Sequence, residues 1–247
     1  MPIKFIPTLV SPLLLLALWQ GLAQALHSPA LPPPMEVFQV LRDELHSGRL
    51  AFHLGVTLAR LAVSFVLAMS LGVALGVLLG LHKKLDRFLD GWLLALLNTP
   101  ALVTIILCYV WFGLSEFAAV SAVVVNKAPN VVVTLREGAR GLNRGLLEMA
   151  QAYRFGRWKI LRHVIWPQLL PYFIAAARNG VALIWKIILV VELLGRGEGM
   201  GYQLHLFFQL FNVAGVIAYT IAFVAVIQLV EWLLMKPLER RAARWRR

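Results

Sequence analysis

Five charged residues fall inside or at the ends of long apolar runs: Arg60, Lys127, Arg178, Lys186 and Glu192. A charge at mid-bilayer depth costs about 2.5–3.5 kcal/mol on insertion scales, so each must face protein or water rather than lipid. Lys127 is the sharpest case. The run VVVNKAPNVVV sets Asn126, Lys127, Pro129 and Asn130 near the middle of an apolar segment. Proline frees a backbone carbonyl, and the asparagines offer polar partners. Three readings fit Lys127: a cation facing a translocation path, where it attracts an anionic solute, one half of an internal ion pair, or a residue of a span whose true centre lies elsewhere. Arg178, Asn179 and Lys186 would extend a basic path, and Asn98 and Thr99, before Pro100, are weaker path candidates. Arg60, near the end of its run, reads as structural, with its head snorkelling to the interface. Glu192 closes another run and is kept among the path candidates.

Chemistry of other kinds finds no support. No G-x-x-x-x-G-K-[ST] phosphate loop is present, so the chain is not expected to hydrolyse ATP. Serine, cysteine and carboxylate residues form no catalytic pattern. The six histidines lack zinc-ligand spacing, and the single cysteine, Cys108, cannot close an internal disulfide. No metal or cofactor is expected on this chain, and no nucleic-acid motif accompanies its net charge of +12.

The elements that must position these residues are transmembrane helices. Of 247 residues, 60% are hydrophobic and only 15% charged, with a mean hydropathy of +0.76. A soluble domain carries about a quarter charged residues. Runs at 7–26, 54–81, 88–112, 117–135, 168–194 and 209–234 have the length of spans, which predicts an all-α polytopic fold of about six helices in one domain, 1–247. Ala23-Gln24-Ala25 resembles a signal-peptidase site, but the first run is long enough to be retained as a helix. Gly72, Gly76 and Gly80 share one helical face, where a second helix can approach closely. Between the first two runs, LPPP followed by Val37, Val40, Leu41 and Leu45 at helical spacing predicts a short amphipathic helix on the outer surface.

Cations alternate between loops. Lys4, Lys83, Lys84, Arg87, seven residues from Arg136 to Arg162 and six in the tail fall on one side, against Arg42, Arg49 and Arg196 on the other. The positive-inside rule places both termini in the cytoplasm.

The segment 143–167 is therefore cytoplasmic. In it, Leu146, Ala150 and Tyr153 share one helical face, and Trp158, Leu161 and Ile165 share a second beyond Gly156, where the backbone is free to turn. A helix–turn–helix of this kind suits docking into another protein's groove, or resting on lipid headgroups. Glu148, Ala150, Ala152 and Tyr153, followed by Ile165 and Pro167, resemble the cytoplasmic signature of permease subunits of bacterial ATP-binding cassette importers, roughly E-A-A-x-x-x-G, nine residues, I-x-L-P. Met149 stands for an alanine, Arg154 for the glycine and Trp166 for the leucine, so the turn is expected to shift towards Gly156. With LLNTPALVTIILCYVWFGLSE and VVELLGRGEGMGYQL, nearly the whole chain is similar to nitrate/sulfonate/taurine-type permeases.

The resemblance implies an importer in the bacterial inner membrane, with this segment as the coupling helix. It implies a second permease copy, a cytoplasmic ATPase subunit holding ATP and Mg, and a periplasmic or lipid-anchored binding protein. The alternatives are a stand-alone secondary transporter or channel, for which no internal repeat is evident, and a membrane scaffold.

Overall fold

The computed structural model of the chain describes residues 6–235 and 237. Lys4 and the tail cations Lys236, Arg240, Arg241, Arg244, Arg246 and Arg247 lie outside the described residues. Helices and their connections make up everything described, with no strand among these residues.

Helix α1 is Ile6–Leu26, followed by α2 (Pro34–His46) and α3 (Arg49–Leu81). Next come α4 (Lys83–Asn98), α5 (Ala101–Phe112) and α6 (Glu116–Arg140). The short α7 (Arg144–Ala152) and α8 (Arg157–Ile160) precede a π-helical turn, Leu161–Ile165, that runs into α9 (Trp166–Gly195). Helices α10 (Met200–Gln209) and α11 (Val213–Val230) complete the bundle.

Among the described residues, four helices are long and apolar enough to cross a membrane, and a bent pair makes up to five. The expected third span, 88–112, is not one helix. It breaks at Thr99–Pro100 into α4 and α5, which meet at 98°. Pro100 has no N–H to return to the Leu96 carbonyl, and it disfavours the helical region for Thr99, which is extended (φ −73°, ψ 124°). The last span starts at Val213 rather than 209, because Gln209 ends α10 and Asn212 caps α11 by accepting the Gly215 N–H at 2.8 Å. The second begins at Arg49, five residues ahead of the expected 54.

Helix α6 is the most buried of the four long helices. The glycine stripe of α3 lies against it. A Cβ on Gly72 would stand 2.5 Å from Val131 Cβ, and one on Gly76 would stand 2.7 Å from the Val132 carbonyl oxygen. Helix α9 packs on the other flank, where Gly138 lies under the Tyr172 ring. Ala118, Ala119, Ala122, Ile184, Ile188, Tyr219 and Phe223 fill the shared core. The predicted amphipathic helix is α2. Its buried Val37 packs on Ala214 and Ala218 of α11, and Tyr219 donates to Glu44 at 2.7 Å.

Candidate coupling segment, polar cavity and outer ion cluster

The helix–turn–helix at 143–167 forms from local chemistry. Asn143 caps α7 by accepting the Leu146 N–H at 3.3 Å. Helix α7 ends in a double closure: the Phe155 N–H donates to the Ala150 carbonyl at 2.9 Å, and the Arg154 N–H to the Gln151 carbonyl at 2.9 Å. This pattern needs a left-handed residue next to last, usually glycine. Arg154 supplies it, at φ +51°. The turn has not shifted, because Gly156 is extended (φ −64°, ψ 155°), a conformation open to any residue. Lys159 lies 4.2 Å above the Phe155 ring on the far side of the turn.

The expected face of Leu146, Ala150 and Tyr153 divides in two. Ala150 is fully buried, and Leu147 turns inward to pack on the core below. Leu146, Met149 and Tyr153 remain as an exposed apolar strip, with Glu148 and Ala152 exposed beside it. Beyond the turn, Ile165 packs against the same core, and Pro167 lies in the first turn of α9. Pro167 cannot donate to the His163 carbonyl, and the Trp166 N–H reaches five residues back to Leu161, giving the π turn.

Four of the predicted path residues meet. Lys127 and Asn130 of α6, with Asn179 and Lys186 of α9, line one cavity of about 290 Å3, joined by Thr134. Lys127 is 2% exposed, and among the described residues its ammonium has no hydrogen-bond or ion-pair partner. Gly180 lies beside its stem: a Cβ there would crowd the Phe65 ring at 3.2 Å and meet Lys127 Cε at an ordinary contact of 3.7 Å. A neighbouring cavity of about 350 Å3 shares Asn179 and Lys186 and adds Arg178, Gln228 and Glu231. Arg178 pairs with Glu231 at 3.8 Å, and the Lys186 ammonium lies 5.6 Å from the Trp185 ring centre. Asn126 lies outside both linings. Asn98 and Thr99 also lie apart, at the α4–α5 break, where their side chains donate to the Leu94 and Ala95 carbonyls at 2.8 and 2.9 Å.

Arg60 is structural, as expected, but holds an ion cluster instead of reaching the interface, and Glu192 joins that cluster rather than the path. Neither snorkels nor faces these cavities. Glu192 is fully buried and accepts from Thr57 Oγ1 (2.9 Å), Arg60 Nη1 (2.7 Å) and the Gly201 N–H (2.9 Å). Arg60 also grips Glu116 with two nitrogens, at 2.6 and 2.9 Å, and donates to the Glu198 carbonyl at 2.7 Å. Arg196 pairs with Glu116 from the other side. The loop after α9 folds over this cluster, with Met200 N–H on Thr57 and Gly199 N–H on His53 Nδ1. Gly199, at φ +114°, has no room for a Cβ, which would strike the Glu192 carboxylate. Sequence reading missed Thr57, Glu116 and Arg196 as members. The GRGEGMG run after Glu192 was the one signal of a tight loop there.

This arrangement, a helical bundle with a glycine seam, a broken span and a basic helix–turn–helix on one end, is the fold of permeases of ATP-binding cassette transporters. The chain matches the methionine transporter MetNI in an inward-facing conformation with a TM-score of 0.68 at 20% identity, covering 83% of this chain and 99% of that one. It belongs to the family of binding-protein-dependent transport system inner membrane components, whose profile matches residues 68–243, and is a permease subunit of an ATP-binding cassette importer. It is 33% identical to the putative aliphatic sulfonates transport permease protein SsuC of Escherichia coli (strain K12), over 77% of this chain and 73% of that one. Identity to the Bacillus subtilis (strain 168) protein of the same name is 29%, over 96% and 87%. Identity to the taurine transport system permease protein TauC of E. coli is 25%, over 94% and 86%.

Proposed function

We propose that the chain lines the translocation path for a small anion in an ATP-driven importer. The observation that carries this is Lys127: a buried ammonium, without a partner among the described residues, opening on a cavity it shares with Lys186. An unpaired buried charge is costly, and an anionic solute offsets that cost when bound. Aliphatic sulfonates and taurine, for which two of its relatives are named, carry an anionic sulfonate group, in keeping with that class.

The exposed strip of Leu146, Met149 and Tyr153 is the surface that would seat in a cytoplasmic ATPase subunit, which would hold the ATP and Mg. Glu148, Ala152 and Arg154 would border it. A binding protein would deliver solute to the outer face. Lys186 and Asn179 are exposed at mid-span, where lipid is a poor neighbour, which favours a second permease copy or a water-filled path against α9. The chain would sit in the bacterial inner membrane with its basic loops, and both termini, in the cytoplasm.

Proteoliposomes containing the chain with its ATPase and binding protein test the proposal. Uptake of an alkanesulfonate, taurine or nitrate should require ATP and the ATPase, and uncharged isosteres should not be taken up. Uptake by the chain alone would instead support a stand-alone transporter, and equal uptake of neutral isosteres would remove the anion reading.

A further inference from the structure

A third ionic region lies where α3 leaves its span, beside the foot of the coupling helix. There a crevice of about 600 Å3 opens between the end of α3, the start of α4 and the α6–α7 connection. Lys83, Arg87 and Arg144 line it, and none has an ion-pair or hydrogen-bond partner among the described residues. The acid at its wall is already neutralised: Asp86 binds Arg136 at 3.0 Å and also binds Arg140, and Arg136 holds Asp90 at 2.6 Å. The floor is apolar, from Leu79, Leu142 and Leu147. Three uncompensated cations around an apolar-floored hollow fit a phosphate attached to an apolar body.

The depth fits as well. Leu79 and Leu81 are in the last turn of a span-length helix, so the crevice lies at one end of a span, where lipid headgroups would gather. Phe88 and Trp92, one turn apart on α4, are 74% and 69% exposed. Exposed aromatic rings at a span's end mark headgroup level. The bend between α4 and α5 holds this part of α4 across the line of α5.

We propose that this crevice binds the phosphate of an anionic phospholipid, with Lys83, Arg87 and Arg144 around the headgroup. Arg144 is the first residue of α7. A bound lipid would thus tie the coupling segment to α4. The assignment uses the function proposed above only in calling this face cytoplasmic; the site stands or falls on lipid binding, whatever the chain transports.

Native mass spectrometry of the full-length chain, released from detergent with phosphatidylglycerol or phosphatidylcholine, reads the site directly. Each cation near anionic lipid is worth roughly fivefold in affinity, so Lys83→Gln, Arg87→Gln and Arg144→Gln together should weaken phosphatidylglycerol retention on the order of a hundredfold. Phosphatidylcholine adducts should not change. The control triple Arg154→Gln, Arg157→Gln and Arg162→Gln removes equal charge from the same side of the chain and should keep the lipid. Lys83→Arg with Arg87→Lys and Arg144→Lys guards against misfolding and should also keep it. Equal loss in both glutamine triples would overturn the site in favour of diffuse attraction. Displacement of lipid by millimolar inorganic phosphate would overturn the lipid source and leave a soluble phosphate site.

Discussion

At one end of the bundle, Arg60 and Arg196 face Glu116 and Glu192, and every charge is matched. Halfway along it, Lys127 and Lys186 face a cavity with no counterion among the described residues. Each region buries one cation against α9, Arg60 of α3 in the first and Lys127 of α6 in the second, yet their chemistry is opposite. The first matches its charges from three chain segments and closes a glycine-bearing loop on top, although Arg196 Nε makes no hydrogen bond among the described residues. The second leaves its hydrogen-bonding capacity open to whatever enters. A charge-balanced cluster holds helices together; a cationic, unpaired one waits for a ligand.

The sharpest way to break this comparison is Arg60→Ala. It leaves the fully buried Glu192 carboxylate with only Thr57 and a backbone N–H. Removing one partner of a buried pair costs about 3–5 kcal/mol. Folded yield and thermal midpoint in detergent should fall steeply, while ATP-driven uptake per folded molecule stays near that of the parent. If stability held and uptake vanished, the cluster would be part of the path and the distinction would fail.

Lys127→Met carries the opposite sign. Replacing a buried charge with an apolar chain of similar length is often stabilising, by about 1–3 kcal/mol here. The thermal midpoint should rise. Anion uptake should drop tenfold or more, since a hydrogen bond to a charged group is worth about 1.5–3 kcal/mol. A lower midpoint would mean that Lys127 has a structural partner after all. Unchanged uptake at any midpoint would take it out of the path.

The two regions were unequally legible in the sequence. The apolar runs located the long helices, and the four-residue glycine spacing located the α3–α6 seam, because both are local periodicities. Lys127, Asn130, Asn179 and Lys186 were legible as polar residues in apolar runs, and they do meet. Arg60 and Glu192 were equally visible, but their pairing joins residues 132 apart and Glu116 joins from a third helix. Only the packing brings them together. The run 88–112 read as one continuous span, and neither its break at Thr99–Pro100 nor the 98° angle was anticipated, although Pro100 stood in view. The split face of α7 was hidden for a related reason: helical spacing puts Leu146 beside Ala150, but the core beneath selects Leu147 and Ala150 to face inward.

The coupling turn gives the smallest and most local test. Its backbone geometry calls for glycine at 154, and the chain has arginine at φ +51°. A non-glycine residue in the left-handed region costs about 1–2 kcal/mol, part of which glycine returns through its greater freedom when unfolded. Arg154→Gly should therefore stabilise the end of α7 by about 0.5–1 kcal/mol, read as slower amide exchange at Tyr153, Arg154 and Phe155. Global stability should barely change, since the turn is exposed. If the amides slow while ATPase stimulation holds, Arg154 is a tolerated strain and belongs with the structural residues. If they slow and stimulation falls, its side chain is used by the partner, and this segment, like the Lys127 cavity, keeps a cation for what docks there.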